Sequence, residues 1–146
     1  MDQQFELLNP EFVTRVVGAR GRRGVDGYLG IVVDSLEPGR IEAHFDVTDE
    51  LVTMIGNIHG GCLSVLCDHC LGVILYPVMP PGYWAATTEF KVNLLRPVSK
   101  GTCRARGEII TMSKRLAVVR VDVENEGRLV AVAQGTATIV APKGTD

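Results

Sequence analysis

Asn57-Ile58-His59-Gly60-Gly61-Cys62-Leu63-Ser64-Val65-Leu66-Cys67-Asp68-His69-Cys70-Leu71-Gly72 is the stretch on which the fold turns. It opens as a glycine-punctuated loop and continues as an apolar segment long enough to be a helix. One carboxylate, Asp68, lies among Leu63, Leu66, Leu71, Val73 and Ile74. An ionised side chain on an apolar helix is expensive to bury unless it is paired, hydrogen-bonded or used. Upstream, Gly60 and Gly61 can bring bare backbone N–H groups close to a ligand, and those at a helix start have no intrahelical partner. Donors for developing negative charge therefore lie two turns from a lone carboxylate.

The helix has two contrasting stripes. Gly61, Ser64, Asp68 and Gly72 are three or four residues apart and share one face, whereas Leu63, Leu66, Cys70 and Ile74 form another, suited to a sheet. Small residues let another backbone approach closely, so the first stripe is expected to meet a second element or a second chain. A helix apolar over most of its surface needs wrapping.

The flanking chain supplies the wrapping. Phe5, Leu8, Phe12, Val13, Val16 and Val17 follow helical spacing, most securely from Pro10, which suits a first turn. The basic, glycine-rich run 18–24 fits no phosphate-loop spacing and reads as an exposed loop. Residues 28–36 then read as a strand, Glu37-Pro38-Gly39-Arg40 as a turn, and Ile41, Ala43, Phe45 and Val47 as the apolar face of its partner. His44 falls on the polar face. Beyond the helix, Pro77, Pro80, Pro81 and Gly82 end helical structure. Four strands follow, over 84–95 (with Thr88, Phe90, Val92 and Leu94 on one face), 102–111, 116–124 and 129–140, joined by short turns that predict an antiparallel four-strand meander. The expected fold class is α+β, an antiparallel sheet wrapped around a long central helix.

Composition narrows the function. A chain of 146 residues is read as one domain over 1–146, large enough for a proper core. A formal net charge of −2 gives no reason to expect nucleic acid as a partner. No apolar run is expected to reach the roughly 18 residues of a membrane span, and the polar start Met1-Asp2-Gln3-Gln4 is read as no secretory signal. Four cysteines, three of them within nine positions, do not resemble a disulfide framework, so a cytoplasmic location is expected.

His59-Gly60-Gly61 with an aspartate eight residues after Gly60 resembles the signature of hotdog-fold acyl-CoA thioesterases, in the subgroup of the phenylacetate-pathway thioesterase PaaI and the mammalian thioesterase superfamily member 2. Thr87-Thr88-Glu89-Phe90-Lys91-Val92-Asn93-Leu94-Leu95-Arg96-Pro97 resembles the family's following strand, as do Gly127-Arg128-Leu129-Val130-Ala131 and Gln134-Gly135-Thr136. The similarity covers about residues 28–140 and is specific in combination.

The resemblance implies homodimers joined sheet edge to sheet edge, usually assembled into homotetramers, with active sites at the dimer interface. Asp68 would activate water or attack the thioester carbonyl, facing the partner's Gly60 N–H, which would polarise that carbonyl. His59 would shape the loop, and Thr87 lies where relatives place a serine that positions water. Relatives carry asparagine six residues before the histidine; here that residue is Thr53, and Asn57 lies nearer the motif. Asn57 and Gly61 are taken as substrate-binding, with Arg96, Lys114 and Arg115 as basic turn residues for the CoA phosphates. No cofactor is implied.

Two rivals compete with this reading. Cys67-Asp68-His69-Cys70 is formally Cys-x-x-Cys, and with His59 and Cys62 suggests zinc. On a helix, however, Cys67 and His69 diverge by about 200°. A redox pair belongs at a helix N-terminus, and this one lies two turns in. Buried packing cysteines and no metal are expected. The same fold also serves hydratases, dehydratases and non-catalytic acyl-CoA binders; Asp68 in its place favours hydrolysis.

Overall fold

In the computed structural model, residues 3–21 and 23–144 are described. The chain runs α1 (Pro10–Val16), α2 (Gly24–Leu29), β1 (Val32–Glu37), β2 (Arg40–Asp46), α3 (Gly60–Val73), β3 (Trp84–Leu94), β4 (Thr102–Met112), β5 (Leu116–Asn125) and β6 (Arg128–Val140). Single 3₁₀ turns lie at Asp49–Leu51 and Tyr76–Val78. The six strands form one antiparallel sheet in the order β1-β2-β4-β5-β6-β3.

Alternation along each strand delivers the core. Ile41, Ala43 and Phe45 of β2, Val119, Val121 and Val123 of β5, and Ala131, Ala133 and Ala137 of β6 all point inward and are buried. They meet Leu63, Leu66, Cys67, Cys70 and Leu71 of α3, which with Ile74 just beyond it are also buried. A fully buried leucine is stabilised by about 2–3 kcal/mol relative to an exposed one, so this contact holds α3 in the sheet's concavity. Helical structure from Gly60 to Val78 is 19 residues long and apolar enough to cross a membrane, contrary to the sequence expectation that no such run exists. Here that run is the wrapped core helix, about half of it buried.

Three features differ from expectation. Residues 24–29 form α2, so the first strand begins at Val32 rather than residue 28. Gly30 closes α2 at φ 69°, its N–H bonding Asp26 and Gly27 carbonyls, a left-handed cap that glycine takes without strain. The four strands after α3 are also not a simple meander: β4, β5 and β6 are consecutive, but β3 pairs with β6 and forms the far edge. The connection 95–101 crosses the sheet end because Val98 is buried there and its carbonyl accepts the Ile58 N–H at 2.8 Å. Finally, the β3–β6 register slips between Thr87 and Glu89. This bulge puts Ala85 and Thr87 on the inner face with Phe90, Val92 and Leu94, and removes Thr88 from it.

Residues 8–16 pack against the chain just beyond the other end of α3. Asn9 caps α1 by accepting the Phe12 N–H, and Phe12 stacks on Tyr76 with ring centroids 4.5 Å apart. Leu8 and Asn9 N–H groups both reach the Pro77 carbonyl. His44, on the outer face of β2 as expected, is paired with Asp34 at 2.7 Å.

Candidate active site

The start of α3 is built by three consecutive residues. His59 is the N-cap, and its Nδ1 accepts the Gly61 N–H at 2.8 Å. Nδ1 therefore carries no proton in this arrangement. Gly61 has its amide engaged, and a Cβ there would lie 2.9 Å from His59 Nδ1. The Gly60 N–H, first in the helix, takes no hydrogen bond among the described residues. A Cβ on Gly60 would overlap Leu94 Cδ1. One bare amide thus faces outward where a side chain would crowd it.

The loop before it is tied down. Thr53 donates to the Asn57 carbonyl twice, from its N–H at 2.9 Å and from Oγ1 at 2.7 Å. Gly56 returns its N–H to the Thr53 carbonyl from φ 85°, a conformation open to glycine. With its carbonyl engaged, Asn57 keeps its side-chain amide without a partner among the described residues. A cavity of about 280 Å³ lies beside these groups, lined by Ile55, Asn57, Gly60, Leu63, Leu94 and Arg96 among others.

Asp68 is exposed and makes no hydrogen bond or ion pair among the described residues. Gly61, Ser64 and Gly72 flank it along the expected stripe and are half-buried. Eight residues separate Asp68 from Gly60, about 12 Å along a helix axis. One carbonyl group cannot touch both the amide and the carboxylate of the same chain. Thr87 lies half-buried on the inner face of β3.

The basic residues divide. Arg96 lines the cavity, and its Nη1 donates to the Leu129 carbonyl at 2.7 Å. Lys114 and Arg115 occupy the β4–β5 turn, at the end of β6 where Ile139 bonds the Arg115 carbonyl; Arg96 bonds Val130 at the other end. Nine residue steps along β6 separate the two ends, about 30 Å. Within one chain, then, Asn57, Gly60 and Arg96 come together, and Asp68, Lys114 and Arg115 stand apart. The sequence reading put Leu94 on one face of its strand but missed its contact with Gly60, and it missed the tether formed by Thr53.

The cysteines behave as core residues. All four are free thiols. Burial, helped by the charges of Asp122 and Asp68, pushes the Cys67 thiol up to about 12, and burial raises Cys70 as well. A thiol held protonated is a poor nucleophile and a poor ligand. Burial lowers the His69 pKa, opposed by the nearby charges of Asp26 and Asp68.

A helix wrapped by one antiparallel sheet is the architecture of a known enzyme class. The profile of the thioesterase superfamily matches residues 55–132. A 1,4-dihydroxy-2-naphthoyl-CoA hydrolase of Listeria monocytogenes is 25% identical over 103 residues, covering 70% of this chain and 84% of that protein. A thioesterase family protein from Silicibacter pomeroyi superposes with a TM-score of 0.75 at 28% identity, over 82% of this chain and 91% of that one. The E. coli PaaI protein from the phenylacetic acid degradation operon shares the fold with a TM-score of 0.74 at 22% identity, over 80% of this chain and 84% of that one. The chain belongs to the thioesterase superfamily. It is a hotdog-fold thioester hydrolase.

Proposed function

We propose that this single-domain enzyme hydrolyses acyl-CoA thioesters to a carboxylic acid and free CoA, at sites shared between two copies of the chain. The observation that carries the reading is the separation of a bare Gly60 amide from an unpaired, exposed Asp68 by two turns of one helix. A second copy brings its own Asp68 to the first copy's Gly60. The bare edge of β3, eleven residues long, is where the sheets of two copies would join. Pairs of such dimers would form the tetramer.

In this site the Gly60 N–H donates to the thioester oxygen as negative charge develops there. Asp68 of the partner chain takes a proton from water as it adds, or adds to the carbonyl carbon itself and is then released by water. The C–S bond breaks, and the departing CoA thiolate takes up a proton. His59 holds the turn through Gly61, whose missing side chain leaves space for the His59 ring, and Thr87 positions water. Asn57 and Arg96 contact substrate at the cavity. With the two β3 edges joined antiparallel, the second copy's Lys114 and Arg115, like its Asp68, come to this end and meet the CoA phosphates. Free thiols and buried cysteines suit the reducing cytoplasm. Similarity to a CoA-thioester hydrolase supports CoA as the carrier.

The test is subunit complementation. Gly60→Pro deletes the amide, and His59 already has the φ −64° and ψ 136° that a following proline accepts. The Leu94 Cδ1 end, which belongs to a half-exposed side chain, must turn aside for the ring, so the melting temperature of the variant is measured first. Asp68→Asn and Gly60→Pro homo-oligomers should each release little thiol from a panel of acyl-CoAs. Co-expressed, they should form mixed dimers with one intact site and recover activity. No recovery would return both groups to one chain, or to no shared site. Products other than free thiol, such as a hydrated acyl-CoA, would favour a hydratase instead.

A further inference from the structure

Leu94 ends the inner face of β3 beside the first residue of α3. Its backbone is fixed by the ladder to Ala131 and by the Leu95 N–H, which donates to the Val130 carbonyl at 2.8 Å. Its side chain is 52% exposed, yet its Cδ1 occupies the space a Gly60 Cβ would need. Gly60 and Leu94 line the same cavity, so a group held at Gly60 lies close to the Leu94 side chain. The adjoining cavity of about 280 Å³ is walled chiefly by the aliphatic side chains of Ile55, Ile58, Leu63, Leu94, Leu95 and Val98.

We propose that Leu94 is a specificity-determining residue that limits the size of the acyl group, and that this group is an uncharged hydrocarbon chain entering that cavity. The inference rests on the thioesterase reading. Two ends of the substrate compete for the cavity once the carbonyl is on Gly60. The pantetheine arm carries amides, which lose free energy when buried without partners. The walls offer it only Asn57 and an Arg96 guanidinium already bonded to Leu129. A hydrocarbon acyl chain has no such requirement and gains from every contact with the aliphatic wall.

The experiment measures kcat/KM for thiol release along a ladder of straight-chain saturated acyl-CoAs, from acetyl to palmitoyl, with wild type, Leu94→Ala and Leu94→Phe. Removing or adding a few carbons in an apolar pocket shifts discrimination by about 10-fold or more. Leu94→Ala should raise the long-to-short ratio by about that factor and Leu94→Phe should lower it, with melting temperature and light scattering checking that each variant is still a folded oligomer, because β3 is also the proposed joining edge. A common factor across the whole ladder would put Leu94 against CoA, the part every member shares, and overturn the proposal. So would an unmoved ratio in both variants. Failure of the underlying reading looks different: wild type would then release thiol from no member, and the inference would fall with it.

Discussion

The two faces of α3 obey opposite rules. The inner face carries Leu63, Leu66, Cys67, Cys70 and Leu71, all buried against the sheet. The outer face carries Gly61, Ser64, Asp68 and Gly72, small residues around one unpaired acid. Packing explains every residue of the first. Of the second it explains only Gly61, whose missing Cβ leaves room for the His59 ring; the open space beside Gly72 and the lone carboxylate of Asp68 answer to nothing in the packing. A helix shaped this way is held rigid on one side so that the other can present chemistry at a fixed place. The contrast also says which kind of damage each face should show.

The largest expected effects separate the faces cleanly. Leu66 is fully buried at 0% exposure, so Leu66→Ala should cost about 3 kcal/mol of stability and lower the melting temperature by roughly 10 °C. Folded Leu66→Ala protein should keep kcat within a few-fold. Asp68→Asn should do the reverse. The carboxylate makes no internal bond, so thermal scans should match wild type within about 2 °C, while kcat falls by about 10² or more with loss of the base or nucleophile. Calorimetry and thiol release on both variants check the pair. An Asp68→Asn protein with full turnover would make the outer face merely structural.

How much of this could be read from the chain follows the same division. The inner face was legible because period and burial are local: Leu63, Leu66 and Cys70 repeat at helical spacing, and strands β2, β4 and β5 alternate residue by residue. The bare amide and the acid were legible because paired glycines and a lone carboxylate are odd in such a helix. The position of β3 was not, since pairing with β6 rather than β4 depends on where Val98 docks, across some forty residues. Helix α2 was hidden by its composition: Gly24, Val25, Gly27 and Tyr28 are weak helix formers, and a left-handed Gly30 ends it. The contact of Leu94 with Gly60 joins a strand to a helix and passes through a register with a bulge, which no local pattern encodes.

A smaller effect probes the hinge between the faces, the turn that starts α3. His59 caps the helix through Nδ1, so His59→Ala should lose about 1 kcal/mol, the usual cost of an N-cap. His59→Asn, whose short side-chain oxygen can accept the same Gly61 N–H, should restore the melting temperature. If His59 acts only through this bond, His59→Asn should also restore most of kcat. Restored stability without restored turnover would give the ring a direct part in the reaction.

The smallest effect is a pH slope, and it lies on the border of the two faces. His69 is half-buried, and burial lowers its pKa from the ordinary 6.5 while Asp26 and Asp68 pull the other way. Its folded pKa therefore lies below its unfolded one, so the unfolded chain binds the proton more readily. Stability is then whole above about pH 6.5 and declines as pH falls from the unfolded pKa toward the folded one, levelling off below it. Other groups titrate nearby, so the difference between wild type and His69→Gln isolates the contribution. Melting temperatures should converge at neutral pH, and wild type should lose ground to His69→Gln on acidification to about pH 5. In an Asp68→Asn background one of the two opposing charges is gone, the His69 pKa should fall further, and the same gap should widen. A gap that opens instead with rising pH would mean that His69 is stabilised as the cation, with Asp26 and Asp68 outweighing burial.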